Sequence, residues 1–344
     1  MIKKGVLVCS LLLGMAPIAI ADEIKIYTWE EYFSDEVIRQ FEQDTGHTVR
    51  QIYFESEKLR DEVIASGRGN AYDLFVMDGY TLNVFAGNGL LSKVEFNQLK
   101  NSGNIDEKAL QACGSYGVPY TWGTMGIGYR ESKVTAPITS WKALFDFSDN
   151  NKNRVIIPLD DIDTVAVALL ALGFEPMTND ESELKLAYQL LSSAKNNLLG
   201  FRTAEGYALE KGDKSAMDLA VVYSGETYLI AKETGQDDWV YTVPEEGTLL
   251  WYECFAAVKE QPFSDAVIAF LDFIHRPEIA AKNAEDIWYA TTNKSALEVA
   301  DDEYLQDRDL FPPQAVVERS FLYKPVSNAA LRQRNRIISV LGKK

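Results

Sequence analysis

Only two histidines, His47 and His275, occur among 344 residues. His47 follows a glycine that closes a helix, and His275 lies late in another helix, just before Pro277. Neither stands beside a partner motif. This scarcity argues against a Ser-His-Asp triad, a histidine-rich zinc site and an HExxH zinc motif. No G-x-x-x-x-G-K-[ST] phosphate loop is present, and the GTMGIG run at 123–128 is not followed by a helix. The acidic run 160–163, DDID, lacks the glycine and closing glutamate of a calcium loop. No metal and no cofactor is therefore expected.

Long apolar runs are also missing beyond the first residues. The chain opens with Lys3 and Lys4, continues with an apolar run from Gly5 to about Ile20, and ends that run in Ala19-Ile20-Ala21. A charged start, a short apolar stretch and an A-x-A site describe a secretory signal peptide over residues 1–21. The run is short for a membrane anchor. Cys9 has no small residue before it and lies far from the cleavage site, so a lipoprotein is not indicated.

Cations are outnumbered. Lys and Arg total 34 against 51 Asp and Glu, a net charge of −17. Loss of Lys3 and Lys4 leaves 32 against 51, or −19. Such a surface repels nucleic acid and anionic lipid and attracts cations; acidity serving solubility alone is the plainer alternative. Two cysteines remain after export, Cys113 and Cys254, both in or beside predicted strands. Export permits a disulfide between them, but spacing does not decide whether they touch.

What is present is an alternation of strands and helices with clear caps. Residues 24–32, IKIYTWEEY, start the mature chain with a short strand that runs into Trp29 and Tyr32. Ser34 caps a helix that Gly46 ends, residues 48–54 form a second strand, and Ser56 caps a second helix. Residues 73–76 form a buried strand with Asp78, Gly79 and Tyr80 beyond its end. This order means βαβ units and a parallel sheet. Further strands are expected at 154–159, 219–223 and 239–243. Helices are expected at 141–144, 165–172, 180–195, 264–275, 277–286 and 328–341.

Two long strand-like segments, 116–129 and 249–258, read as crossings between lobes. No Pro/Ser-rich linker occurs. The expected architecture is two discontinuous α/β lobes joined by a hinge. Residues 22–130 plus 251–298 make the first lobe, and 131–250 plus 299–344 the second.

Aromatic and acidic residues recur together at strand ends: Trp29 with Tyr32, Asp78 with Tyr80, Asp161 and Asp163, Tyr223 with Glu226, Trp251 with Glu253, and Tyr289. In an open α/β sheet such strand ends face a ligand. Each pair alone is ordinary, since a tryptophan is often core and a strand-end aspartate often a helix cap. Taken together they suit an alkyl chain carrying protonated amines. Rings cover methylenes and attract ammonium groups, while carboxylates supply charge-assisted hydrogen bonds. The same boxes could hold a sugar, with rings stacking and acids bonding hydroxyls, and charge discriminates weakly in favour of the amine.

The segments IYTWEEY, YDLFVMDGY, VPYTWGTMGIG, IIPLDDIDT, AVVYSGETY, LLWYECFAAV and IWYATTN resemble, in order and separation, the periplasmic spermidine/putrescine-binding proteins of ABC importers. The resemblance covers essentially the whole mature chain. It implies a type II periplasmic-binding-protein fold closing over a polyamine. It places Trp29 and Tyr32 around the methylene chain, Tyr80 after the third strand and Asp78 at the small polar position before it. Asp161 matches the first acid of the second lobe. Tyr223 stands where the family often has tryptophan, Trp251 and Glu253 match a Trp-x-Asp pair, and Tyr289 matches a late aromatic. Two departures stand out. The family's second acid falls on Thr164, with Asp163 one residue away, and a C-terminal glutamine has no clear match near 321–323. Glu30 and Glu31 match no ligand contact and read as a solvated pair.

The resulting expectation is a monomeric periplasmic protein without catalytic activity. It would bind a spermidine-, norspermidine- or putrescine-like ligand and present it to an inner-membrane ABC permease. The alternative is a polyamine sensor that reports to a membrane signalling receptor of the cyclic-di-GMP and biofilm type. A sugar or amino-acid binder, and an exported enzyme using Asp/Glu pairs, are the more distant readings.

Overall fold

The computed structural model describes residues 21–343. The expected signal peptide, Ala21 apart, lies outside the described residues. Among these no helix is long and apolar enough to cross a membrane.

Among the described residues eleven strands build the sheet: β1 Glu23–Thr28, β2 Thr48–Tyr53, β3 Leu74–Asp78, β4 Val118–Arg130, β5 Val155–Ile157, β6 Gly200–Phe201, β7 Leu219–Tyr223, β8 Trp239–Thr242, β9 Leu249–Ala256, β10 Ala290–Thr291 and β11 Phe321–Leu322. The hydrogen-bonded order is β2-β1-β3-β9-β4-β7-β5-β6, with β10 and β8 on β4 and β11 on β9. β1 lies parallel to β2 and β3, and β5 parallel to β6 and β7. These are the two βαβ systems that the alternating pattern calls for.

β4 and β9 join them. β4 pairs with β9 through residues 118–124 and with β7 and β8 through 125–130. Its length and its near-continuous burial, with only Trp122 and Arg130 part-exposed, let one strand serve two cores. One core gathers Ile24, Ile26, Phe41, Phe75, Val118, Phe255 and Phe270; the other gathers Met125, Ile127, Trp141, Ile157, Leu169, Leu191, Leu219 and Ile337. Tyr304 and Leu310 form a small separate cluster with Ala284 and Ala290, against which Trp122 packs.

The helix starts follow from their caps. Ser34, Ser56, Ser140 and Ser264 each accept a hydrogen bond from a first-turn N–H, and Asp180 accepts two. Gly46 ends the first helix at φ 77°, a conformation glycine adopts without strain. The helix expected at 141–144 extends over Trp141–Asn150, and that at 165–172 begins at Asp163. Five helices among the described residues have no counterpart in the expected order: Gly79–Gly87, capped by Asp78, Glu107–Cys113, capped by Asp106, and the short Ala204–Leu209, Asp302–Gln306 and Gln314–Arg319. Cys113 thus ends a helix. It is bonded to Cys254 on β9, with Cα atoms 5.9 Å apart.

Candidate ligand-binding site

The carboxyl ends of β1 and β3 and the middle of β9 bring most of the expected residues together. Tyr32 follows β1 through a turn in which Glu31 takes φ 55°, an unusual value for a non-glycine residue. That turn is tied down from behind. The Tyr120 hydroxyl donates to the Tyr32 carbonyl at 2.5 Å, and Asn283 Nδ2 donates to the same hydroxyl at 2.9 Å. The Tyr32 hydroxyl lies 3.1 Å from Thr121 Oγ1. Its ring meets Tyr289 edge-on at 5.1 Å, and Tyr289 meets Trp251 at 6.2 Å. Trp29 stands apart from this row, edge-on to Phe54 at 4.3 Å.

Trp251 and Glu253 alternate along β9 and so project from the same face. Trp251 can lie flat on β4 only because position 123 is glycine: a Cβ there would sit 2.2 Å from the indole. This accounts for one glycine of the run at 123–128. Glu253 is 7% exposed, and its Oε2 has no hydrogen-bond partner; nor does the Trp251 indole nitrogen. Burial pushes the Glu253 carboxyl up to about 8, with Asp78 and Glu57 adding to the rise and Arg60 and the Trp29 indole opposing it. A buried carboxylate oxygen without a donor is costly unless an opposite charge arrives.

Asp78 is the register partner of Glu253 across β3 and β9. Its carboxylate is already engaged: Oδ1 accepts from Thr81 N at 2.8 Å and Oδ2 from Arg60 Nη2 at 3.2 Å. Tyr80, one residue into the helix that Asp78 caps, packs against the second core. Burial raises its hydroxyl, and the charge of Asp161 adds most to that rise.

The second core contributes a different cluster. Asp163 is buried, and both its oxygens are taken: Oδ2 accepts from the Tyr223 hydroxyl, and Oδ1 from the Tyr323 hydroxyl at 2.7 Å. Burial and the charge of Asp160 raise it to about 7, while the two phenols pull it back. Thr164, at the position of the missing acid, is a structural residue. Its hydroxyl donates to the Pro158 carbonyl at 2.5 Å and accepts from Asp160 N at 2.9 Å. Asp161 is half-buried and raised by burial and by Asp160, against the pull of Arg334.

Four residues in these clusters were not picked out from the sequence. Tyr323 occupies the C-terminal stretch where a glutamine was sought. Arg60 and Arg334 are fully buried cations facing Asp78 and Asp161. Glu226 appeared only as a neighbour of Tyr223; it accepts from Tyr223 N at 2.9 Å, and burial raises it to about 7. Glu226 is also the largest charge effect on Tyr289, which burial first and Glu226 second push up to about 12. Glu30 and Glu31 line a separate open concavity of about 640 Å³ that contains none of the expected contact residues.

This architecture, two α/β lobes joined through two shared strands, is that of a type II periplasmic binding protein. The chain belongs to the bacterial extracellular solute-binding protein family, whose model matches residues 36–312. It is 30% identical over 321 residues to a norspermidine sensor of Vibrio cholerae, covering 93% of this chain and 89% of that protein. It is 26% identical over 331 residues to a spermidine/putrescine-binding periplasmic protein of Salmonella typhimurium, covering 93% and 92%. Among solved structures, a spermidine/putrescine ABC transporter substrate-binding protein of Streptococcus pneumoniae shares the fold. Its TM-score is 0.83 at 23% identity, with 93% of this chain and 98% of that one covered.

Proposed function

We propose that this chain is a periplasmic polyamine-binding protein that binds without catalysing a reaction. The observation that carries the reading is the buried, unpartnered Oε2 of Glu253 beside the Tyr32–Tyr289–Trp251 row of rings. An ammonium group supplies the missing donor, and the rings cover the attached methylenes. Trp29 and Tyr80 extend the apolar walls, and Asp161 and Glu226 supply further negative charge from the second lobe. Asp78, Asp163 and Tyr223 shape the site through the partners they already hold.

Closure follows from the two lobes. A ligand that touches both shifts an open–closed equilibrium by its differential affinity for the closed form. Residues 22–130 plus 251–298 move as one lobe and 131–250 plus 299–344 as the other, with the hinge in β4 near Thr124–Met125 and the corresponding part of β9. The closed protein presents its ligand to a membrane partner, by default an ABC permease. A second reading, in which the closed form reports to a membrane signalling receptor, is favoured by the 30% identity to the norspermidine sensor.

A thermal-shift screen of polyamines, sugars and amino acids tests the ligand class, because stabilisation grows with ligand concentration over dissociation constant. Polyamines should raise the melting temperature and sugars should not; a shift with sugars alone sinks the proposal. Labelled polyamine uptake in a deletion strain separates the two partners. Lost uptake supports the permease, and intact uptake with a lost polyamine response supports the receptor.

A further inference from the structure

Arg60 lies on the helix Glu57–Ala65, yet its side chain is completely buried. Its guanidinium reaches Asp78 Oδ2 at 3.2 Å and Asp61 Oδ1 at 3.0 Å, with Val76 O at 3.5 Å and Glu57 Oε1 at 3.9 Å. It sits 5.5 Å from the centroid of the Phe54 ring, the same ring that meets Trp29 at 4.3 Å. Glu253 is next along, paired with Asp78 across β3 and β9. Side chains directly opposite in such a pair lie within about 5.5 Å of one another at Cβ. A cation on an aromatic face, held by carboxylates, is the recognition chemistry a polyamine nitrogen needs. Here the protein supplies that cation itself.

We propose that Arg60 permanently fills one cation subsite of the cleft and thereby sets the site for polyamines of two or three nitrogens over longer ones. The inference rests on the polyamine reading. Arg60 already engages Asp78, so of the two acids paired across β3 and β9 only Glu253 keeps an oxygen without a partner, which leaves room there for one ligand nitrogen. A further ammonium placed beside Asp78 would meet a fixed guanidinium, a repulsive element that discriminates by length.

Titration calorimetry with 1,4-diaminobutane, spermidine and spermine, on the mature chain and on R60M, tests this. The spermine-to-diamine affinity ratio should rise at least about tenfold in R60M, since a one-charge repulsion at close range is lost and Asp78 is freed. R60K, which keeps the charge, should stay near the wild-type ratio. R60M leaves Asp78 without its main partner, so R60M/D78N provides a charge-balanced variant if the single one does not fold; its ratio should move in the same direction, less far. A ratio that stays at the wild-type value in a folded, polyamine-binding R60M or R60M/D78N overturns the subsite. A wild-type chain that binds no polyamine overturns the underlying reading and this one with it.

Discussion

The two ends proposed for the binding cleft are both acidic, and they treat their acids differently. At the first-lobe end Glu253 keeps one buried oxygen unpartnered, beside a row of rings. At the second-lobe end Asp163 has both oxygens taken by Tyr223 and Tyr323. Both carboxyls are raised by burial, to about 8 and about 7. Equal acidity in the sequence therefore does not mean equal availability. One acid waits for a donor and the other has been given two.

The sharpest way to break this comparison is to neutralise each acid in turn. Glu253→Gln should cost about 2–5 kcal/mol of polyamine binding, as expected for a buried, hydrogen-bonded charge partner. That is roughly a 30- to 5,000-fold loss in calorimetry. Asp163→Asn should lose far less, because a ligand gains little from an acid already satisfied. Equal losses at the two positions would show that the phenols do not shield Asp163.

The disulfide tests the frame rather than the acids. Cys254 is the neighbour of Glu253 on β9, and its bond to Cys113 closes a separation of 141 residues. Replacing both cysteines by serine should reduce stability by roughly 2–5 kcal/mol, seen as a lower melting temperature. Polyamine affinity should fall as well, because β9 positions Glu253 and Trp251 but no side chain of the Asp163 cluster. Unchanged affinity would mean that strand pairing alone fixes the first-lobe end.

Acidity separates the ends by a further route. Burial raises Glu253 from 4.5 to about 8. Between those values the folded state holds a proton that the unfolded chain has lost, so this group lowers stability as pH rises through the window. An ammonium ligand favours the carboxylate and expels that proton. Polyamine affinity should therefore weaken as pH falls below about 8, by up to about tenfold per unit from this group, and Glu253→Gln should flatten the profile. Asp163, raised from 3.8 to about 7, destabilises in the same direction up to that value. With its phenols in place the ligand does not relieve it, so its share should persist in the melting curve of the complex. A profile unchanged by Glu253→Gln would assign the effect to Glu226 or Glu57.

The strand–helix order was legible because its signals are local. Ser34 and Ser56 cap the helices expected after them, and β4 and β9 announce themselves by length and burial. Asp78 shows the limit of such signals. A strand-end aspartate before Gly-Tyr-Thr has the same appearance whether it meets a ligand or caps a helix, and here it caps Gly79–Gly87. The remaining features depend on partners distant in sequence. Asp163 meets hydroxyls 60 and 160 residues later, and no spacing rule predicts that. Arg60 and Arg334 stand among exposed, charged helical neighbours, so nothing local marks them as buried.

The smallest expected effect comes from Tyr323→Phe. The substitution removes one hydroxyl and keeps the ring. It leaves Asp163 Oδ1 without its donor, at 2.7 Å in the native protein. A hydrogen bond to an ionised group contributes about 1.5–3 kcal/mol, and less when the acceptor is partly protonated. With Asp163 raised to about 7, the loss should sit at the low end of that range near neutral pH and grow as pH rises, because only the carboxylate needs both donors. Denaturant melts at pH 6 and pH 8 would read this difference. Polyamine affinity should change by no more than a few-fold, since Tyr223 still holds the other oxygen and Glu253 is untouched. A loss approaching that of Glu253→Gln would place the Asp163 end in direct contact with the ligand, and the two ends of the cleft would then be alike.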